Sequence, residues 1–134
     1  MRKLLLRLAA VMGITAVMLG AFGAHALKNY VSLENVNTFE TGVRYHLLHA
    51  IMIGMIGVLS HFGRKKSLYY AAWFFTGGII LFSGSIYLLS IREIVDFGSW
   101  LGPITPIGGT LFIAGWALLF VSTYHSFDRS QKPA

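Results

Sequence analysis

SLYYAAWFFTGGIILFSGSIYLLSI, residues 67–91, runs without a single Asp, Glu, Lys or Arg. As a helix it would rise about 1.5 Å per residue, enough to cross the roughly 30 Å hydrocarbon core of a bilayer. The same reading extends outward in both directions. Leu8–Leu27 and Tyr45–Gly63 precede it, Phe97–Phe127 follows it, and each block is equally free of those four residue types. Charged side chains make up 12% of the chain and fall only between or beyond the four blocks. A soluble domain would scatter them along its helices. The pattern predicts an all-α fold: an integral membrane bundle of four transmembrane helices over about 4–24, 43–62, 68–89 and 104–122. With so little chain left over, residues 1–134 form one domain.

The net charge of +6 fits this class without invoking nucleic acid, because the basic residues lie in short joints where they orient helices. Arg2, Lys3, Arg7, Arg64, Lys65, Lys66, Arg129 and Lys132 fall on one side of a four-span bundle; Lys28, Arg44 and Arg92 fall on the other. The excess of eight over three predicts both termini in the cytoplasm of a multi-pass protein of the cell (plasma) membrane. The absence of cysteine excludes disulfides, thiolate metal sites and a cysteine nucleophile. The first block competes with a signal-peptide reading, since a basic start leads to Ala24-His25-Ala26, an A-x-A-like site. Its length and its small residues at four-residue spacing (Ala16, Gly20, Ala24) favour a retained span, because such spacing lets helix backbones approach closely. Gly54 and Gly84 are expected to serve the same packing role in the second and third spans.

Polar side chains gather toward one end of the spans. Glu40, Arg44, Tyr45 and His46 are expected as an outer rim. Glu40 and Arg44 stand four apart in the order that favours an ion pair on a helix. His25, His49, Ser83, Ser85 and Tyr87 are expected to meet as a hydrogen-bonded cluster in the outer leaflet, since polar groups in hydrocarbon must find partners. Arg44 and His49 lie about 140° apart on a helical wheel, which separates rim from cluster. The serines have a simpler alternative, bonding back to carbonyls of their own helix. His25, His46 and His49 invite a zinc or copper site. No carboxylate stands in register with them, and Arg44 would repel a cation, so no metal or other cofactor is expected. Ser83 with His49 lacks the orienting acid and oxyanion hole of a hydrolase. The sequence therefore does not read as an enzyme.

Several stretches resemble a known family. Leu19-Gly20-Ala21-Phe22-Gly23-Ala24-His25, Phe39-Glu40-Thr41-Gly42 with Tyr45 and His49-Ala50, Leu81-Phe82-Ser83-Gly84-Ser85-Ile86-Tyr87, and Thr105-Pro106-Ile107-Gly108-Gly109 are similar, in order and spacing, to bacterial membrane proteins grouped as domain of unknown function 423. Their eukaryotic relatives are called transmembrane protein 256. His46 departs from the pattern, for bacterial members often carry glutamine after the tyrosine. The resemblance implies a four-helix integral membrane protein and implies no activity, since the family has none firmly assigned.

The function expected on these grounds is that of a non-enzymatic membrane component acting through helix and lipid contacts. Its partners are the lipid bilayer and either itself or a larger membrane complex. The alternative is a small transporter or proton pathway using the outer polar cluster. A transporter needs a polar cavity reaching the bilayer centre; a contact protein should be solid within and grooved outside.

Overall fold

The computed structural model describes residues 2–62 and 66–127. Helix α1 spans Arg2–His25 and is followed by a 3-10 turn, Leu27–Asn29. Helix α2 spans Leu33–Leu59. Helix α3 (Lys66–Gly78) passes through a π turn, Ile79–Ser83, into α4 (Gly84–Ser90). A second 3-10 turn, Ser99–Leu101, leads to α5 (Ile104–Phe127). Among the described residues four helical stretches are long and apolar enough to cross a membrane, with α3, the π turn and α4 acting as one span from Lys66 to Ser90. The chain is an all-α membrane bundle. The end holding the α1–α2 and α4–α5 connections is the distal end below; the end holding Arg2 is the proximal end.

Helix α2 begins at Leu33, ten residues before the expected second span at 43. Ser32 supplies the reason. It has extended backbone angles, and its hydroxyl accepts the Asn35 N–H at 3.4 Å, the pattern of a helix N-cap. At 27 residues α2 is about 40 Å long, more than a bilayer's hydrocarbon thickness. His49 is therefore about 24 Å from the start of α2 and about 15 Å from its end at Leu59. It lies near the middle of the bundle, deeper than the outer position its sequence neighbourhood suggested.

Helix α1 packs along α2, and α5 packs along α3 and the π turn, while α2 also meets α3 and α4. The molecule is thus two antiparallel helix pairs joined through α2. Small residues set the spacing. Ala16 is fully buried, a Cβ on Gly20 would stand 3.2 Å from Val43, and one on Gly54 would stand 3.4 Å from Ala9. These three are where the sequence placed them. Ala24 and Gly84 are not. Ala24 is exposed, and a Cβ on Gly84 would meet nothing within 4 Å. The contact falls instead on Gly23, where a Cβ would come within 2.8 Å of the Phe39 ring. Gly23 is seven residues from Ala16 and so returns to the same face of the helix, while Ala24 is turned about 100° further on.

Between α3 and α5 the fit is reciprocal. Phe112 of α5 lies on Gly78, and Phe75 of α3 lies on Gly115. Gly108 goes further and packs directly on the backbone of Phe82 in the π turn. The hydrophobic core fills the proximal half: Leu5, Ile53, Ile56, Leu68, Ala71, Ala72, Phe75, Ile79 and Phe112 form one buried cluster.

Candidate functional site

The polar side chains of the spans resolve into separate bridges between helices instead of the single expected cluster. His49 is buried in the centre. Its Nδ1 lies 2.7 Å from the Tyr45 carbonyl oxygen, and its Nε2 lies 3.2 Å from the Trp116 indole nitrogen. A carbonyl only accepts and an indole N–H only donates. Nδ1 therefore carries the proton, Nε2 accepts, and the ring is a neutral imidazole with both nitrogens in use. Phe112 stacks on it at 3.6 Å between ring centroids, nearly parallel, and Phe75 closes a second side at 5.2 Å. Beyond the Tyr45 carbonyl of its own helix, the partners come from α3 and α5. The expected polar contacts to the first and third spans are not made.

His46, three residues earlier and about 60° around the helix, meets a different set of neighbours. Its Nδ1 is 3.1 Å from the Tyr87 hydroxyl and its Nε2 is 3.4 Å from the Thr15 hydroxyl. Thr15 donates to the carbonyls of its own helix, 2.9 Å to Met12 and 3.1 Å to Val11. Its oxygen then accepts from His46 Nε2–H, weakly at that distance, and Tyr87 donates to Nδ1. One imidazole thus ties α4 to α1 through α2. His46 was expected on an exposed rim and is instead buried. Glu40, Arg44 and Tyr45 of the expected rim are exposed, although the Tyr45 ring also reaches inward against Phe82 at 4.8 Å.

Ser85 bridges to Thr105 of α5 at 2.7 Å and also donates to the Phe82 carbonyl at 3.0 Å. Ser85 and Tyr87 are two residues apart, about 200° around a helix, so they cannot face one neighbour together. Ser83 is fully buried, and among the described residues its hydroxyl has no hydrogen-bond partner. It ends the π turn, where the carbonyl four residues back is not in its α-helical place, so the usual back-bond does not form. His25 is exposed at the end of α1, on the opposite face to Gly23. It joins neither bridge.

Among the described residues no three His, Asp or Glu side chains group as a metal site would. The nitrogens of His46 and His49 are committed to the bonds above.

Two parts of the site were not foreseen. Neither Thr15 nor Trp116 belongs to the expected cluster or rim. An indole N–H or a hydroxyl at bilayer depth must find a partner, and that was the available signal. The second part lies at the distal end. Glu93, in the α4–α5 connection, accepts the Ser32 backbone N–H at 3.0 Å, the Ser32 hydroxyl at 2.7 Å and the Asn35 amide. It stands where a capping-box glutamate would, but comes from a distant loop. The two Ser32 bonds are the main reason its carboxyl is held below the usual carboxylate range.

Above Tyr87 the distal ends of α1, α2 and α4, with the connections beside them, line a half-open cavity of about 290 Å³. Its walls are Leu19, Phe22, Leu27, Tyr30, Phe39, Tyr87, Leu88, Ile91, Ile94 and Val95. Apart from the two tyrosine hydroxyls, one of which is held by His46, the lining side chains carry no polar atom.

Comparison with known proteins agrees with this architecture. Residues 19–109 match the family described as protein of unknown function DUF423. The chain is 39% identical over 122 residues to the UPF0382 membrane protein SH2409 of Staphylococcus haemolyticus, covering 91% of this chain and 96% of that one. It is 39% identical over 121 residues to the UPF0382 membrane protein YwdK of Bacillus subtilis, covering 90% and 95%. It is 36% identical over 121 residues to the UPF0382 inner membrane protein YgdD of Escherichia coli K12, covering 89% and 88%. No solved structure matches the chain. Its four spans, its small-residue packing and its near full-length likeness to these proteins make one conclusion: the chain belongs to the DUF423 family of membrane proteins.

Proposed function

We propose that this protein is a non-enzymatic component of the cell membrane that acts through helix and lipid contacts, with both termini in the cytoplasm. The observation that carries the reading is the saturation of His49. The residue best placed to pass a proton through the bundle has its donor nitrogen on a carbonyl and its acceptor nitrogen on an indole N–H. Taking up a second proton at Nε2 would require breaking the Trp116 bond. The proximal half beyond it is packed hydrocarbon, with Phe75, Ile53, Ile56 and Leu5 fully buried. A polar file from one face to the other would have to cross that layer. The apolar cavity at the distal end is what a contact protein offers in its place.

The test is proton and cation flux in vesicles reconstituted with the full chain and loaded with a pH-sensitive dye. The expected result is no flux above empty vesicles under an imposed pH gradient. Flux abolished by His49→Leu would overturn the reading in favour of a proton pathway. Orientation rests on the excess of Lys and Arg on the terminal side. Tags at both ends should resist external protease in intact spheroplasts, and cleavage of either would reverse it.

A further inference from the structure

We propose that the outward face of α2 is an interface between two copies of this chain, related by a two-fold axis along the membrane normal, with Arg44 of each copy paired to Glu40 of the other. This deepens the helix-contact reading above and rests on it. Glu40, Arg44, Leu48, Ile51, Met55 and Val58 are all exposed. At 100° per residue they fall within an arc of about 80°, opposite the buried His46, His49, Ile53 and Ile56. The arc is one continuous stripe, with two opposite charges toward its distal end and hydrocarbon below them. Leu48, Ile51, Met55 and Val58 are each about half exposed.

The charges select the occupant. Leu8–Leu27, Ser67–Ile91 and Phe97–Phe127 hold no charged residue, so α2 alone carries charge on a lateral face of the bundle away from the helix ends. Val43 lies against Gly20, so Arg44 sits roughly 7–8 Å below the end of α1 at His25. A charged side chain at such depth faces a bundle interior or pairs with another group. Arg44 does neither within its own chain. Its spacing from Glu40 would allow an ion pair on one helix, yet among the described residues neither side chain has a hydrogen bond or ion pair. A two-fold contact brings the same patch from both copies together, so the patch must match itself. This one does. Where two parallel α2 helices meet along the stripe, residues one turn apart lie across from each other. Each Arg44 then meets a Glu40, the four charges sum to zero, and the apolar stripe beneath needs no further match. A phospholipid phosphate would attract Arg44 but be repelled by Glu40.

The chain has no cysteine, so single introduced cysteines report the contact directly. Ile51→Cys and Met55→Cys stand on the stripe; Val17→Cys on the exposed face of α1 and Ile113→Cys on that of α5 are the controls. The experiment is oxidative cross-linking of the full chain in membranes of expressing cells, where all copies share one orientation. Dimers should form at 51 and 55 at least about fivefold faster than at 17 and 113, because a disulfide needs the two backbones close. Arg44→Glu and Glu40→Arg should each lower the yield at position 51 about tenfold, since each sets like charges across the axis. Glu40→Arg combined with Arg44→Glu should restore it. The comparison of cysteine positions keeps the test valid if a charge variant fails to fold. Cross-linking at 17 or 113 as fast as at 51 and 55, or none at any position, would overturn the proposal. So would a yield that neither charge variant changes, which would return Arg44 to lipid. Such a failure without flux in the vesicle assay leaves the wider reading standing; flux would overturn that reading whether or not the copies pair.

Discussion

His49 and Trp116 show how a polar side chain is accommodated at bilayer depth. The histidine is fixed in one tautomer because one neighbour can only accept and the other can only donate. The bond to Trp116 links α2 to α5, whose contact otherwise rests on rings such as Phe112 stacked on the imidazole. Trp116→Phe removes the N–H together with the pyrrole part of the indole, so the hydrogen bond and some ring contact are lost together. It should lower thermal stability in detergent by roughly 0.6–1.7 kcal/mol, the range seen for hydrogen bonds between membrane helices. An unchanged melting curve would show that this bond contributes nothing. At the same scale, the expected convergence of His25, His49, Ser83, Ser85 and Tyr87 was defeated by angles. Residues near one another along a helix can still face different neighbours, and only the arrangement of the neighbours says which.

At the scale of elements, the π turn Ile79–Ser83 decides how α3 and α4 meet α5. It brings the backbone of Phe82 against Gly108, so that a side chain at 108 has no room. Gly108→Ala should destabilise the bundle by about 3 kcal/mol or more, at the upper end of overpacking costs. Gly84→Ala is the matched control. Its added methyl meets nothing within 4 Å and its backbone is helical, so the change should be neutral or gain up to about 1 kcal/mol. Unfolding both variants in the same detergent separates close packing from helix propensity. If the two behave alike, the backbone contact at Gly108 is not what holds α5. Four-residue spacing in α1 pointed to Ala16 and Gly20, but the close contact beyond them falls on Gly23 and not on Ala24. The packing role expected of Gly84 falls on Gly78 and Gly108 on either side of the π turn.

For the whole molecule, the distal clamp of Glu93 on Ser32 and Asn35 joins the two connections and so the two helix pairs. Its carboxyl is depressed in the folded state, chiefly by the Ser32 hydrogen bonds. A group with a lowered folded pKa contributes stability that is fully present above its unfolded value. That contribution is lost as pH falls through the folded value. Stability should therefore be flat from neutral pH down to the ordinary carboxylate range and decline below it. Glu93→Gln should be less stable than the native chain at pH 7, and the difference should shrink as the native carboxylate protonates. Melting curves between pH 7 and pH 3 check this. A difference that stays constant over that interval would show that the charge of Glu93 is not involved.

Sequence alone determined the number of spans and the all-α class. Both rest on a local property, the charge-free length of each block. It also showed that His49 and Tyr87 must find partners, since hydrocarbon offers none. Tertiary structure decided which partners. His49 meets Trp116 and His46 meets Tyr87 because α2, packed on α1, also touches α3, α4 and the π turn, so that residues about 60° apart on one helix reach different neighbours. The distal cavity and the Glu93 clamp were equally beyond the sequence. Both are made by loops and helix ends that lie some sixty residues apart in the chain and meet only when the pairs close.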